Sequence, residues 1–574
     1  MSSIQAWLRW SGALPLLAAV LCFVVTLDGT FIYDDVDLLL EDPRLTDPSR
    51  WRELFTGSYN GGEDNLYRPL VSLSFLVQHR LHGPNPFAYH LVNLLLHAGA
   101  AWSVTLLARR LASASGVAAP RRLAVIAGVL FAVHPAHVEA VAMIVGRAEM
   151  MTTIAICLAL RALVPAPTQR GTVLAVGLFV LALLCKENAL VFPLLVGAWS
   201  VVARRCGLLS NDVERRRLSL VFASSSLLLF GYVAVRQSFL KFDWDRSFLD
   251  WTIQPMVRAS PLDRWTLPLE LLGRYLALLS APLRLSIDHG YAVILPRTQW
   301  QTIYPWLGML GAIGIGAWIV IGWRRREALL LLSGVALVLS LAIPLNLVAI
   351  IGTVFGERLI YLPSAFVILA LAWTLTKALK GVLTGAPTGM TVAPTGMTAA
   401  LTGTTGAPTG ETGVPMGTAA DPAAMTAAPT GMTAALMGAV AKRRGRTLAT
   451  AVLIALGVLW SLRSVTYAAR FEDRLSFYER SLREQPRSVR LHVLAAHEQL
   501  RRGNDDRAER LLHDGLSLAP QYDELYVRLA EVAWTRGDFA LARRHLDAAM
   551  SVQPRVKTAL LYGFIDRLEQ GARR

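Results

Sequence analysis

Long apolar stretches recur along the chain and constrain its fold more than any other feature. Many run for about 15 to 22 residues with few charges, close to the roughly 20 residues that an α-helix needs to cross a bilayer. Apolar residues make up 54% of the chain and charged residues only 17%, whereas soluble proteins carry about 25% charged residues. These features predict an all-α, polytopic membrane protein with about eleven spans.

The basic residues occur in short clusters between the apolar stretches, and this pattern sets the topology. The net charge is +16, but the clustering is typical of positive-inside loops rather than of a nucleic-acid-binding surface. The clusters are Arg109–Arg110, Arg121–Arg122, Arg204–Arg205, Arg215–Arg217, Arg324–Arg326 and Lys442–Arg446. With these in the cytoplasm, the N-terminus is predicted inside and the C-terminal domain outside. The composition, rich in Ala, Leu and Arg, favours a bacterial inner membrane, with the outer face in the periplasm.

A change of composition near the C-terminus predicts four domains. Residues 384–441 repeat the tetrapeptide Ala-Pro-Thr-Gly and cannot bury enough apolar surface to fold, so they are predicted to form a disordered cytoplasmic loop. The predicted domains are a transmembrane domain at 1–383, this loop at 384–441, a last span at 442–466 and an extracytoplasmic repeat domain at 467–574.

The repeat domain is defined by a 34-residue period. Proline recurs at this interval at Pro486, Pro520 and Pro554, and glycine at Gly503, Gly537 and Gly571. This spacing is typical of tetratricopeptide (TPR) repeats, which form an α-solenoid of paired helices. Two full units and a truncated third are predicted. They serve either as a docking surface for an acceptor protein or partner, or as a plain spacer.

Polar motifs lie at the predicted outer ends of the spans, so the topology places them on one face. Charges near lipid depth are costly and indicate function. The candidate site residues are Asp34, Asp35, Arg68, His134, His137, Glu139, Arg147, Lys186, Glu187, Glu357 and Arg358. Glycosyl transfer from a polyprenyl-phosphate sugar needs such a set, because a carboxylate must take the proton of an acceptor hydroxyl and cations must hold the departing phosphate. Asp34 and Asp35 supply the acid pair, and a neighbouring carboxylate raises the pKa of a base.

Each of these motifs also has a simpler interpretation. His134 and His137 make a weak zinc signal, and hydrogen bonding is the favoured role, so no metal site is predicted. Arg147 and Arg358 fit span-end anchors that snorkel to water. Lys186 and Glu187 fit a local ion pair.

The ordered combination of motifs resembles the transmembrane-and-TPR O-mannosyltransferase (TMTC) family, whose members are membrane glycosyltransferases of the GT-C fold. The resemblance covers nearly the whole chain except 384–440. It rests on Phe31–Asp35, Tyr67–Leu70, Tyr89-His90 with Asn93, Phe131–Glu139, Gly146–Glu149, Lys186–Glu187, Glu357–Ser364 and the terminal repeats.

This resemblance implies an inverting transfer of a sugar, expected to be mannose, from a polyprenyl-phosphate donor to a protein Ser/Thr hydroxyl. Asp34 would be the base, no further cofactor would be needed, and the repeats would engage the acceptor. The repeat array is much shorter than is usual in the family. Two alternatives stay open: a non-catalytic membrane scaffold that displays repeats, and a GT-C transferase acting on a glycan or lipid acceptor.

Overall fold

A computed structural model describes residues 11–61, 66–240, 250–379 and 428–552 of the chain. Within these ranges every regular element is a helix, which confirms the all-α fold class. In the part before the predicted loop the α-helices are α1 Leu14–Phe23, α2 Asp34–Leu39, α3 Pro43–Thr46, α4 Glu53–Thr56, α5 Pro69–His82, α6 Pro86–Ala114, α7 Pro120–Ala132, α8 Val138–Ala142, α9 Arg147–Leu163, α10 Gln169–Leu183, α11 Phe192–Arg205, α12 Asp212–Leu240, α13 Pro261–Ser280, α14 Tyr304–Arg325, α15 Ala328–Leu341 and α16 Tyr361–Leu379. After it come α17 Ala428–Ala468, α18 Arg474–Glu484, α19 Val489–Arg501, α20 Asp505–Leu518, α21 Asp523–Thr535 and α22 Phe539–Val552.

Fewer helices are long enough to span a membrane than the sequence predicted. In the described ranges five helices meet the length and apolarity needed, and the pair α7 and Pro135–Ala142, bent by 54°, makes a sixth. The five are Pro86–Ala114, Asp212–Leu240, Tyr304–Arg325, Glu357–Leu379 and Thr447–Glu472. Other predicted spans coincide with shorter apolar helices, such as Gln169–Leu183 and Ala328–Leu341. The chain is a multi-pass membrane protein, with part of its apolar sequence in helices too short to cross alone.

The long helices differ in how deeply they are buried. Most of α16 and much of α6 lie inside the protein, whereas α12 and α14 expose most of their apolar side chains. Exposed Leu, Ile and Phe side chains on those outer helices suit contact with lipid. The inner helices therefore form the frame that positions the polar residues.

The two predicted repeat units each form a pair of helices, α19 with α20 and α21 with α22. The turn in each pair carries a glycine with positive φ, +75° at Gly503 and +78° at Gly537, a conformation that glycine adopts without steric cost. Ala496 and Ala530 are buried at equivalent positions. The predicted third unit begins beyond the described residues, and assignment to the TPR class stays a prediction.

The repeats and the membrane helices belong to one compact unit. It combines the described residues up to Trp373 with those from Leu456 onward, and a second unit covers Thr374–Ala455. Backbone and side-chain hydrogen bonds join the segment before α2 to the start of the repeats, for example from Thr30 N to Phe471 O at 3.0 Å. The predicted disordered loop lies outside the described residues as far as residue 427, and α17 is helical from Ala428.

Candidate active site

Asp34 begins α2 directly after a strained residue. Tyr33 has φ +60° and ψ −124°, a conformation that costs a residue with a side chain about 1–3 kcal/mol. Such strain persists only where the surroundings fix it. Here the Tyr33 N–H donates to the hydroxyl of Tyr478 at 3.0 Å, and the guanidinium of Arg490 lies 4.3 Å from the centre of the Tyr33 ring. Both partners come from the repeat segment, which therefore helps to fix where Asp34 points.

The two carboxylate oxygens of Asp34 have different environments. Oδ2 accepts a hydrogen bond from Arg358 Nη2 at 2.9 Å. Oδ1 lies 3.8 Å from Arg490 Nη2, too far for a hydrogen bond, and accepts none from the described residues. Glu139 accepts the backbone N–H of Arg358 at 2.8 Å and lies 3.5 Å from Arg358 Nε. Arg358 is thus fixed between two carboxylates, and Asp34 keeps one oxygen available for a proton.

Asp35 has a different role from its neighbour. Its side chain is completely buried, and its carboxylate accepts backbone N–H groups from Ile32, Ile144 and Val145 at 2.9–3.4 Å. Burial raises the pKa of Asp35 to about 7, against the opposing effect of these N–H donors, while the charge of Asp34 adds less. Burial, rather than the acid pair expected from the sequence, is thus the main cause of the raised pKa. The geometry suits a structural clamp between α2 and the turn before α9.

Two further ion pairs lie beside this cluster, and both differ from the predicted local pair of Lys186 with Glu187. Lys186 instead forms a salt bridge with Glu149, and Glu187 pairs with Arg68 at 3.0 Å. Adjacent side chains seldom face each other, which explains why each residue finds a more distant partner. Burial lowers the pKa of Lys186, and the charges of Arg68 and Arg358 act in the same direction. Lys186 therefore lies close enough to both arginines for their charges to act on it.

Arg147 is fully buried and does not reach water as a snorkelling anchor would. Its Nε donates to Asn93 Oδ1 at 3.1 Å and its Nη1 to Ser74 Oγ at 3.0 Å. The guanidinium also lies 4.7 Å from the centre of the Phe75 ring, a cation–π distance. Arg147, in α9, is therefore hydrogen-bonded to both α5 and α6.

The two histidines are engaged in hydrogen bonds. His134 Nε2 lies 3.1 Å from the carbonyl oxygen of Leu279, and its Nδ1 accepts the Ala136 N–H. His137 bonds to the carbonyl oxygen of Phe131 and to Ser364 Oγ, both at 2.8 Å. In the parts of the chain that the structure describes, no group of three or more His, Cys, Asp or Glu is arranged around a possible metal ion.

Glu357 is buried and contacts the segment after α13. One of its oxygens accepts the Ser286 N–H at 2.6 Å and lies 3.7 Å from His289 Nε2. This contact fixes the segment after α13 against the start of the Glu357–Leu379 span. Glu357 therefore orients the backbone that carries Arg358.

Arg490 was not among the residues expected from the sequence, and Tyr33 and Glu149 were included only as members of the motifs Phe31–Asp35 and Gly146–Glu149. Arg490 was missed because it lies in a repeat with no membrane motif. A local signal was nevertheless present. Arg490 is the second residue of α19, where the helix dipole disfavours a cation, and the residue 34 positions later is Glu524.

Comparisons with known proteins confirm the resemblance to the TMTC family. The chain is 35% identical over 233 residues to "Protein O-mannosyl-transferase Tmtc1" of Drosophila melanogaster, covering 37% of this chain and 26% of that protein. It is 40% identical over 159 residues to human "Protein O-mannosyl-transferase TMTC1", covering 26% of this chain and 17% of the relative. Human "Protein O-mannosyl-transferase TMTC4" is 26% identical over 412 residues, covering 62% of this chain and 54% of that protein.

These matches cover only part of each relative, from about a sixth to about half of its length. No protein-family model matches the chain, and no solved structure matches it.

Proposed function

We propose that this TMTC-like membrane protein transfers a sugar, mannose, from a polyprenyl-phosphate donor to a Ser or Thr hydroxyl of an acceptor protein. The names of its relatives support a mannosyltransferase. The observation that carries the proposal is the Asp34 carboxylate, which is held through Oδ2 by Arg358 while Oδ1 has no hydrogen bond from the described residues. An oriented carboxylate with one free oxygen suits a general base.

In the proposed reaction the acceptor hydroxyl oxygen forms a bond to the anomeric carbon of the sugar. The bond between that carbon and the donor phosphate oxygen breaks, and its electron pair leaves with the polyprenyl phosphate. The hydroxyl proton passes to Asp34 Oδ1. Attack from the face opposite the phosphate inverts the configuration at the anomeric carbon in one step. No metal ion is required by this reaction.

The remaining residues would orient this base and set the local potential. Glu139 holds Arg358, and Arg358 holds Asp34. Arg68 and Lys186 would add positive potential near the donor phosphate, although each is paired with a carboxylate. The repeats lie against the segment before α2, where they would present the acceptor. The basic clusters support placing this face on the outer side of the membrane. The composition supports a bacterial inner membrane.

The test is sugar transfer by the Asp34→Asn protein, reconstituted in lipid with polyprenyl-phosphate mannose and an acceptor peptide. Loss of a general base lowers turnover by about 100- to 10,000-fold, so transfer should fall by at least about 100-fold with unchanged membrane insertion. Glu41→Gln is the matched control, because Glu41 is an exposed acid just after α2 and its loss should leave transfer unchanged. Wild-type turnover by Asp34→Asn would show that Asp34 is not the base. No transfer by the wild-type protein, together with normal complementation in cells by Asp34→Asn, would instead favour the non-catalytic scaffold.

A further inference from the structure

The cations that the sequence assigned to phosphate binding are already occupied. Arg68 pairs with Glu187, Lys186 with Glu149, and Arg358 with Asp34 and Glu139. Arg147 is fully buried among neutral partners. A phosphate could reach any of the first three only in competition with a carboxylate that already bonds it. The proposed donor therefore needs another cation.

Arg490 differs from these four cations in its contacts. Its guanidinium makes no hydrogen bond to any residue in the described ranges, and its nearest carboxylate oxygen is Asp34 Oδ1 at 3.8 Å. Five N–H groups are thus available in a fork that matches two phosphate oxygens. Its side chain is 24% exposed, compared with 21% for Arg358 and 14% for Arg68, so it is the most accessible of these arginines.

The surroundings hold Arg490 in place without using its donors. The guanidinium stacks over the Tyr33 ring at 4.3 Å. The titratable groups that interact with its charge are those of Tyr33, Asp34, Asp288 and Tyr522. The nearby carboxylate of Asp288 is engaged elsewhere, since Oδ2 accepts from Ser488 Oγ at 2.6 Å and from the Gly290 N–H at 3.3 Å. Ser488 also caps α19 by accepting the Leu491 N–H, so one side chain joins the first turn of this helix to the membrane part.

The position of Arg490 in its helix supports a binding role. Two of the three helices that follow it in the repeats begin with acids, Asp505-Asp506 in α20 and Asp523-Glu524 in α21, as the helix dipole favours, whereas α22 has no acid in its first turn. Arg490 occupies the position of Glu524 one repeat earlier. A residue that opposes the local preference without local compensation is typical of a functional site.

We propose that Arg490, contributed by the repeat domain, binds the phosphate of the lipid-linked donor and so completes the active site. This inference rests on the proposed function, because it assumes a donor with a phosphate. The phosphate would draw the guanidinium away from Asp34 Oδ1, which leaves that oxygen to the acceptor hydroxyl. The repeat domain then supplies a substrate-binding residue as well as a surface for the acceptor.

The test measures binding of farnesyl monophosphate, a short prenyl phosphate without a sugar, to the purified full-length protein in lipid nanodiscs. Farnesol, which lacks the phosphate, is the reference ligand. Arg490→Gln should weaken farnesyl monophosphate binding by about 10- to 100-fold, the effect of losing charge-assisted hydrogen bonds, and leave farnesol binding unchanged. Arg487→Gln is the matched control, because Arg487 is exposed three residues earlier and its loss removes the same charge.

Arg490→Lys covers the case in which Arg490→Gln fails to fold. Lysine keeps the charge but lacks the planar fork, so binding should weaken by about tenfold. Equal affinity of wild type and either folded variant for farnesyl monophosphate would overturn the inference. So would an unchanged affinity combined with a lower turnover, which would make Arg490 only a positioning residue for Asp34.

The same experiment separates this inference from the proposed function. If wild type binds farnesyl monophosphate no better than farnesol and transfers no mannose, both fail. If Asp34→Asn abolishes transfer while Arg490→Gln binds the phosphate like wild type, the proposed function stands and only the role of Arg490 is wrong.

Discussion

One ion pair of the candidate site and one of the repeats both join a basic to an acidic side chain, but in opposite settings. In the site, Lys186 and Glu149 are 7% and 1% exposed and lie 37 residues apart in the sequence. In the repeats, Arg536 pairs with Asp506, which is 84% exposed. A shielded pair is costly to break because the remaining charge is stranded, whereas an exposed pair exchanges its partner for water. The first kind fixes geometry, and the second mainly keeps the surface soluble.

The largest effect that follows from this comparison is expected for Lys186→Met. It leaves Glu149 buried without its cation, which should lower the free energy of unfolding by about 3–5 kcal/mol. Adding Glu149→Leu should restore most of this loss, because replacing both members of a buried pair is often neutral. Thermal unfolding in detergent measures both variants. A double variant as unstable as the single one would show that the pair is not the source of the effect.

A smaller effect is expected for Ser488→Ala at the boundary between the two regions. This change removes the N-cap of α19 and the hydrogen bond to Asp288, which together should cost about 1–2 kcal/mol of stability. The same unfolding assay measures it. Ser517→Ala is the control, since the Ser517 hydroxyl bonds only within α20 and its loss should change little. Equal losses of unfolding free energy in the two variants would mean that the N-cap and the bond to Asp288 stabilise the protein no more than the Ser517 hydrogen bond does.

The smallest effect is expected for Arg536→Gln in the repeats. Its two pairs, with Asp506 and Glu509, are both at the surface, so the loss should be about 0.2–1 kcal/mol and should shrink further at high salt. Unfolding at low and high ionic strength gives the measurement. A loss above about 2 kcal/mol would mean that the exposed pairs of Arg536 are not the weak kind of pair that the comparison assumes.

Features encoded in local periodicity could be predicted from the sequence. The helical fold, the apolar segments and the paired helices around Gly503 and Gly537 all follow from patterns within a few tens of residues. In the described residues fewer helices reach spanning length than the sequence predicted, because apolar character alone does not distinguish a long helix from a short buried one such as Ala328–Leu341. Neighbouring helices bury most of Ala328–Leu341, and a hydropathy pattern does not show which helices are neighbours.

The candidate site was predictable as a set of residues but not as a set of pairs. Asp34, Glu139 and Arg358 stand out as charges at span ends, yet nothing local indicates that Arg358 lies between the other two. The same holds for Lys186, which pairs with Glu149 rather than with its neighbour Glu187. Partners hundreds of residues apart, as Asp34 and Arg358 are, meet only through the tertiary fold.

The contacts around Tyr33 also have a consequence for biogenesis. Its partner Tyr478 lies 445 residues later in the chain, and Arg490 follows still later. Contacts between such distant residues form late, because the intervening chain must first be ordered. During synthesis the membrane part would therefore be inserted well before residue 33 is held in its strained conformation. The base would become oriented only when the first helices of the repeat domain fold against it, so a chain that lacks them would carry the early aspartate without a working site.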